Sequence, residues 1–349
     1  LGRTYLPDRY PQPMVSGSGG SLEPTNWDDA MAQVGAGLAA ANGRTVILGG
    51  NVGPSLGGVI DGFAAASGAK RVVYEPFAHE ALRAGTAAVF GVASLPIFDP
   101  GKADLIIDLG SDFLSTGLSP TENARQYADA RSVKTHKSGG TRMISFGPRL
   151  NFTTTSADKW IAARAGSEPG IAFALAKAVL EAKGAPAGVD ATALQGFLAD
   201  GDVSKAASDA GIAASDLAEV VEALLHAENP LILPPGVAYT GSNATSTAAA
   251  VMLTNALVGA IGNSVAIPPA PAGPSPATLK EIQALVADMK AGKVGALLIH
   301  DSNPVYSLPA EIGFSEALEK VSTVVSFASL ADETADSAGF VLPDHTTME

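Results

Sequence analysis

Cysteine is absent from all 349 residues. That excludes disulfides, thiolate-bound zinc and cysteine-ligated iron–sulfur clusters within the chain, and it leaves the redox compartment open. Charge is sparse as well: 16% of residues are Asp, Glu, Lys or Arg, and their balance is −13. A nucleic-acid backbone needs clustered Lys and Arg to release its counterions, so no nucleic acid is expected as a partner. An acidic surface suits a basic partner, although it serves solubility equally well. Long apolar runs are missing. A bilayer span takes about 18–20 apolar residues, and LAEVVEALL and STAAAVMLTNALVGAIG are too short or too polar, so no direct membrane span is expected. The opening LGRTYLPDRYPQP lacks the basic-then-apolar order of a signal peptide. It also lacks an initiator Met, and the chain stops at PDHTTME, which reads as a fragment or one domain block of a larger protein.

What is present is a hydrophobic share of 46%, arranged as short β-branched runs alternating with Ala-rich helical stretches. This alternation is the signature of βαβ units around a mostly parallel sheet, and the length suffices for two α/β domains. The clearest strands are TVILGG (45–50), KRVVY (70–74), ADLIIDLG (103–110), TRMISFG (141–147), DKWIAARA (158–165), PLILPPG (230–236), GALLIHD (295–301), STVVSFAS (322–329) and GFVLPD (339–344). Helices fit WDDAMAQVGAGLAAA, SLGGVIDGFAAASG, EPFAHEALRAGTAAVFG, SPTENARQYADARS, EPGIAFALAKAVLEAKG, SDLAEVVEALLHA, NATSTAAAVMLTNALVGAIG and SPATLKEIQALVADMKAGK. The last is expected to start with Ser275 as cap and Pro276 in its first turn. IPPAPAGPSP (267–276) reads as an exposed loop, and 183–211 as small helices on a domain edge.

Ligands in such sheets bind beyond the carboxyl ends of the strands, so the loops there carry the candidate chemistry. GGNVGPSLGG (49–58) joins a strand to a helix, and its glycines and free N–H groups suit a phosphate. It is neither GxGxxG nor a Walker sequence, and a tight turn with no ligand explains it too. In EPFAHEALR, Glu75 and His79 are four apart and fit one helical face, where they would share a metal or proton; a plain helix start is the alternative. GSDFLSTGLSPTENARQY offers Asp112 and hydroxyls, with Ser119 to Glu122 resembling a helix cap. GPRLNFTTTSADKW offers Arg149 for an anion, or hydroxyls that satisfy their own backbone. HDSNPVYSLP brings Asn303, Pro304 and Tyr306 to a strand end. His300 and His345 lie beside strand-end loops without a Cys or an evident carboxylate partner, so neither is assigned to a metal. No Ser-His-Asp elbow, HExxH or CxxC occurs, which removes generic hydrolase and zinc readings.

Taken in order, these loops resemble one family. RTYLPDRYPQPM with LEPTNWDDAM, then ADLIIDLGSDFLSTGLSP, MISFGPRLNFTTTSADKWIAARAGSEPGIAFALAKAVL, HDSNPVYSLP and DETADSAGFVLPDHTTME are similar to the molybdopterin oxidoreductase (DMSO reductase) superfamily over nearly the whole chain. EPFAHEALR…VFG, DFLSTGLSP and NPVYSLP most resemble the branch in alternative complex III and menaquinone reductase complexes, which keeps the fold without the molybdenum cofactor. Departures from active members point the same way. The metal-ligand neighbourhood reads Phe77, Ala78, His79, and the acid of "D-P-R" is Gly147 in Gly147-Pro148-Arg149. The Asn of "G-x-N-P" is replaced by Asp112-Phe113, and "R-P-G-T-D" reads Arg164-Ala165-Gly166-Ser167-Glu168. Each charge-assisted bond to guanine that is lost removes roughly 1.5–3 kcal/mol.

The resemblance implies two Rossmann-like doubly wound α/β domains, one inserted in the other: an outer domain of 1–74 plus 221–349 and an inserted one of 75–220. It implies a non-catalytic scaffold in a membrane-associated respiratory quinol:acceptor oxidoreductase, peripheral on the extracytoplasmic (periplasmic) side. No cofactor is expected in this chain, and iron–sulfur clusters are expected in an associated ferredoxin-like module alongside other subunits. The alternative is a catalytic domain holding molybdopterin guanine dinucleotide through Asn51, Ser119, Arg149, Glu168 and Asn303. A third reading has the glycine loop bind an ordinary nucleotide.

Overall fold

Alternating β-branched and Ala-rich runs fold into two large sheets, each dressed by helices, in a computed structural model that describes residues 2–17, 20–134, 140–236, 241–271, 273–346 and 349. The chain divides into unit 1, Leu1–Ala78 with Pro271–Glu349, and unit 2, His79–Ala270. Unit 2 is therefore an insertion in unit 1.

Along the chain, unit 1 begins with β1 (Met14–Ser16), β2 (Leu22–Pro24), α1 (Trp27–Ala41), β3 (Thr45–Gly49), α2 (Pro54–Ser67) and β4 (Lys70–Val73). Unit 2 holds α3 (Glu80–Phe90), β5 (Ile97–Phe98), β6 (Leu105–Asp108), α4 (Pro120–Ala130), β7 (Arg142–Gly147), α5 (Phe152–Thr155) and β8 (Lys159–Ala162). It continues with α6 (Glu168–Lys183), α7 (Ala191–Phe197), α8 (Val203–Ala210), α9 (Ala214–His226), β9 (Pro230–Leu233), α10 (Ala244–Leu257) and β10 (Val265–Ala266). Unit 1 resumes with α11 (Leu279–Lys290), β11 (Ala296–His300), α12 (Pro304–Ser307), α13 (Phe314–Leu318), β12 (Thr323–Ser326), α14 (Glu333–Asp336) and β13 (Phe340–Val341).

Among the described residues, the sheet of unit 1 has the order β2-β1-β13-β12-β11-β3-β4, parallel from β13 to β4, with β1 antiparallel to β13 and β2. One face carries Val46, Leu48, Leu297 and Val324 against α11 and α13. The other carries Ile47, Leu298 and Val325 against α1 and α2. The sheet of unit 2 is all parallel, β8-β7-β6-β9, and a short antiparallel pair, β10-β5, stands apart from it. Its strands β6, β7 and β9 are buried on both faces, as parallel strands covered by helices must be, while the edge strand β8 is partly open.

The outer domain was expected to resume at 221; it resumes at 271. The reason is pairing: β9 joins β6 in register Leu105↔Pro230, and α10 packs on α3 and α6. A Cβ on Gly85 of α3 would sit 2.7 Å from the Ala249 nitrogen, so this helix pair meets backbone to backbone. The fully buried Asn255 of α10 accepts from the Ile232 N–H at 3.0 Å and donates to the Ile232 carbonyl at 2.8 Å. One side-chain amide thus satisfies the edge of β9 as a further strand would.

Two expected helix starts also move. The helix expected from Glu75 begins at Glu80, and the one expected from Ser275 begins at Leu279. Pro276 instead bridges to Val73, the Ala277 N–H donates to the Val73 carbonyl, and Thr278 with Glu281 forms the capping box.

Candidate functional site

Where strand order reverses in an open parallel sheet, the two diverging loops leave a crevice beyond the strand ends. Unit 1 reverses between β3 and β11, and unit 2 between β6 and β9.

In unit 1 the turn Gly49-Gly50-Asn51 leaves β3 while His300 to Asn303 leaves β11. A Cβ on Gly50 would lie 2.8 Å from the Asp301 carbonyl oxygen, so this approach requires glycine. Asp301 takes a left-handed φ of 48°. The N–H of Asn51 donates to Glu75 Oε1 at 2.5 Å. In a phosphate-binding turn that N–H faces the ligand; here a carboxylate from the loop after β4 takes it. Glu75 therefore does not share a helical face with His79, contrary to the expectation from their spacing. Its helix-start chemistry is outcompeted by this longer-range bond.

Asn303 is committed at every polar atom of its side chain. Its Oδ1 accepts from the Tyr306 N–H at 3.4 Å and the Thr334 hydroxyl at 2.7 Å, and its Nδ2 donates to Glu333 at 2.7 Å. That amide holds the Glu333 carboxyl below its usual range. Beside Asn303 opens a polar cavity of about 730 Å³, lined in part by His300, Ser302, Ser326, Asp332, Asp344 and His345. His300 has the carboxylate partner that the sequence did not reveal, with Nε2 and Asp344 Oδ2 2.9 Å apart. His300 Nδ1 and Ser302 Oγ are buried without a hydrogen-bond partner among the described residues. Burial pushes the Asp332 carboxyl up, against two backbone hydrogen bonds that pull it down. Asp301, Asp332 and Asp344 give this lining its charge, and among the described residues it has no Lys or Arg.

The crevice of unit 2 is different in kind. A cavity of about 350 Å³ is walled chiefly by apolar groups, among them Leu82, Phe98, Phe113, Leu233 and Pro234, with His79 and Ser119 also facing it. His79 precedes α3 with a φ of 48°, and burial, then Arg83, lowers its pKa. The Ser119 hydroxyl donates to Glu122 Oε2 at 2.9 Å, across the first turn of α4. Arg149 is exposed and has no ion pair among the described residues. The hydroxyls that follow it close a capping box between Asn151 and Thr154 and so satisfy the local backbone. Glu168 opens α6, and its Oε2 is buried without a partner among the described residues.

Of the five candidate contacts, then, Asn303 lines the cavity of unit 1 and Ser119 that of unit 2, whereas Asn51, Arg149 and Glu168 line neither. Sequence reasoning passed over Asp108, which ends β6 fully buried and accepts from Ser111 and Ser145. It also missed Asp344, whose partner lies too far away in sequence to leave a spacing signal. No group of three or more His, Cys, Asp or Glu able to hold a metal ion occurs among the described residues.

Comparison with known proteins gives this arrangement a context. A family model described as molybdopterin oxidoreductase matches residues 9–349. A curated relative from Nitratidesulfovibrio vulgaris, the menaquinone reductase, molybdopterin-binding-like subunit, is 29% identical over 99% of this chain and 51% of its own length. The chain thus spans about half the length of that relative. Acetylene hydratase from Pelobacter acetylenicus superposes with a TM-score of 0.79 at 15% identity, covering 98% of this chain and 55% of the hydratase. The formyltransferase/hydrolase complex of Methylorubrum extorquens reaches 0.53 at 15% identity, over 95% of this chain and 85% of its own. At such identities the two solved structures establish likeness of fold alone.

Proposed function

Because the chain belongs to the molybdopterin oxidoreductase family, we propose that it is a non-catalytic member of that fold. In this reading it serves as a scaffold subunit of a membrane-associated, quinone-linked respiratory oxidoreductase and carries no molybdenum cofactor of its own. The similarity to a menaquinone reductase subunit supports the respiratory setting; the alternative complex III type, the extracytoplasmic side and the ferredoxin-like iron–sulfur partner follow from the branch the loops resemble.

The carrying observation is the bond from the Asn51 N–H to Glu75. The turn that would cradle a phosphate is closed by the chain's own carboxylate. The remaining donor set agrees: Asn303 is tied to α14, Ser119 to Glu122, and the cavity of unit 1 presents acids where a pyrophosphate would need cations. Phe77 and Ala78 have no metal-binding atom, and His79 is a poor replacement for a thiolate or alkoxide on a high-valent metal. The residues present do not fit a bis-pterin metal centre. Electron transfer needs short, fixed spacing between carriers, so a rigid body without a cofactor still has a physical task.

One observation favours the catalytic alternative. The buried Oε2 of Glu168, without a partner among the described residues, stands where the family resemblance locates an acceptor for guanine N–H groups. Elemental analysis of the intact complex separates the two readings. Molybdenum and tungsten are expected far below one atom per chain, and a stoichiometric content of either would overturn the scaffold.

A further inference from the structure

The two faces of the unit 1 sheet are finished differently. On one, α11 buries Ile282, Leu285, Val286 and Met289 and turns Lys280, Glu281, Gln283 and Lys290 to solvent, as a water-facing helix should. On the other lie α1 and α2, which hold no Lys or Arg in their full lengths. Among the described residues, Gly57 is the one buried residue of α2, with Ile60 and Ala64 partly buried on the core. Its outer side carries Leu56, Val59 and Phe63, exposed by 41, 67 and 40%, at the i, i+3, i+7 spacing of a helical stripe. On α1, Trp27 and Met31 are exposed by 49 and 56% and stand one turn apart. Both helices cross back from the carboxyl end of one strand to the start of a parallel one, so their first turns lie at the same end of the sheet.

Single exposed apolar side chains are ordinary. A helix with an apolar stripe open to water, on the same face of the sheet as a second that exposes two large apolar groups, is a surface made to be covered. We propose that the α1–α2 face docks a partner subunit through an apolar helix of that partner flanked by Lys or Arg. The charges select this occupant. The charged marks on the two helices are Asp28, Asp29 and Asp61, of which, among the described residues, Asp61 alone meets a cation, Arg71 of β4 at 2.8 Å. A second copy would set acids against acids in a chain of net charge −13. A lipid surface is met by helices rich in Lys and Arg, which these lack. A partner with an apolar stripe and a basic rim answers both features. The inference rests on the scaffold reading for the identity of that partner as a subunit of the same complex.

The test uses the full-length polypeptide in its own host. A benzophenone amino acid is placed at Met31, Val59 or, as control, Lys280; the intact complex is irradiated and the adducts are sequenced. Positions 31 and 59 are expected to join the same partner subunit at a helix bearing Lys or Arg, and position 280 is not. V59D is expected to lower the co-purified amount of that subunit about tenfold with the melting temperature unchanged. Adducts to a second copy, to lipid or to this same polypeptide, or an undiminished V59D complex, would each overturn the proposal. Partner subunits that co-purify but cross-link only from other positions sink this surface and leave the scaffold standing. A chain that purifies with no subunit at all sinks both.

Discussion

At Asp108 a carboxyl group ends β6 with no solvent exposure, accepting from the Ser111 N–H at 2.8 Å and from the hydroxyls of Ser111 and Ser145 at 2.5 Å each. Burial raises its pKa against those bonds. The folded protein therefore keeps the proton at pH values where the unfolded chain has released it. Its stabilising contribution is complete below the ordinary carboxylate range and is lost as pH rises through the raised value. Asp108→Asn should flatten that slope, gaining on the native protein in urea melts as pH rises from about 4 to about 8; a deficit that widens with pH would contradict this. Asp108→Leu strands the Ser111 N–H and two hydroxyls, and a loss of about 1–3 kcal/mol or more is expected. Asn303→Ala should likewise act on stability, by roughly 1–2 kcal/mol, through the lost ties to Tyr306, Glu333 and Thr334. Glu75→Ala should lower stability by about 1–3 kcal/mol where Glu75→Gln keeps most of the bond, and nucleotides should leave the native melting temperature unmoved. The bonds joining Asn51 to Glu75, Asn303 to Glu333 and His300 to Asp344 link residues 24 to 44 positions apart. The residue types at the strand ends were legible, but not which of them had already found partners within the chain.

Elements were far more legible than sites. The strands β3, β6, β7, β9, β11 and β12 have four to six residues built mainly on buried apolar side chains, and such runs leave little choice. By contrast β1, β2, β5 and β10 have two or three residues, too few for any period to register. Local chemistry misled at α11, where Ser275-Pro276 is a good helix start. The edge of β4 claims Pro276 and Ala277 first, and the Thr278–Glu281 box takes over. Asn255 escaped notice because an Asn inside an apolar helix carries no signal of the strand it serves. Replacing it with Leu leaves the N–H and carbonyl of Ile232 unpaired in a dry interior, and a loss of about 2–5 kcal/mol in denaturant melts is expected. Retention of native stability would show that β9 needs no such closure.

Across the whole molecule, the alternation of strands and helices announced the architecture, while the extent of the insertion depended on a single pairing, β9 with β6, that composition does not encode. The bland surface implied by 16% charged residues is likewise unevenly shared, as the contrast between α11 and the α1–α2 pair makes plain. Asn51→Ala and Glu168→Ala, assayed in the assembled complex, should leave electron transfer unaltered, since neither side chain serves a reaction in the scaffold reading. A large loss of turnover with normal assembly would favour the catalytic alternative.

The insertion also orders events during synthesis. β3 finds its neighbour β11 only after all of His79–Ala270 has been made. At ~5–20 residues per second, the amino-terminal piece waits on the order of tens of seconds with one side of β3 open and its apolar helices bare. The later-starting unit can complete its own sheet in that interval. Nascent chains halted once Ala270 has cleared the ribosome but β11 has not should therefore resist protease across the insertion while residues 1–78 are still cut, which marks that segment as the stretch most in need of a chaperone.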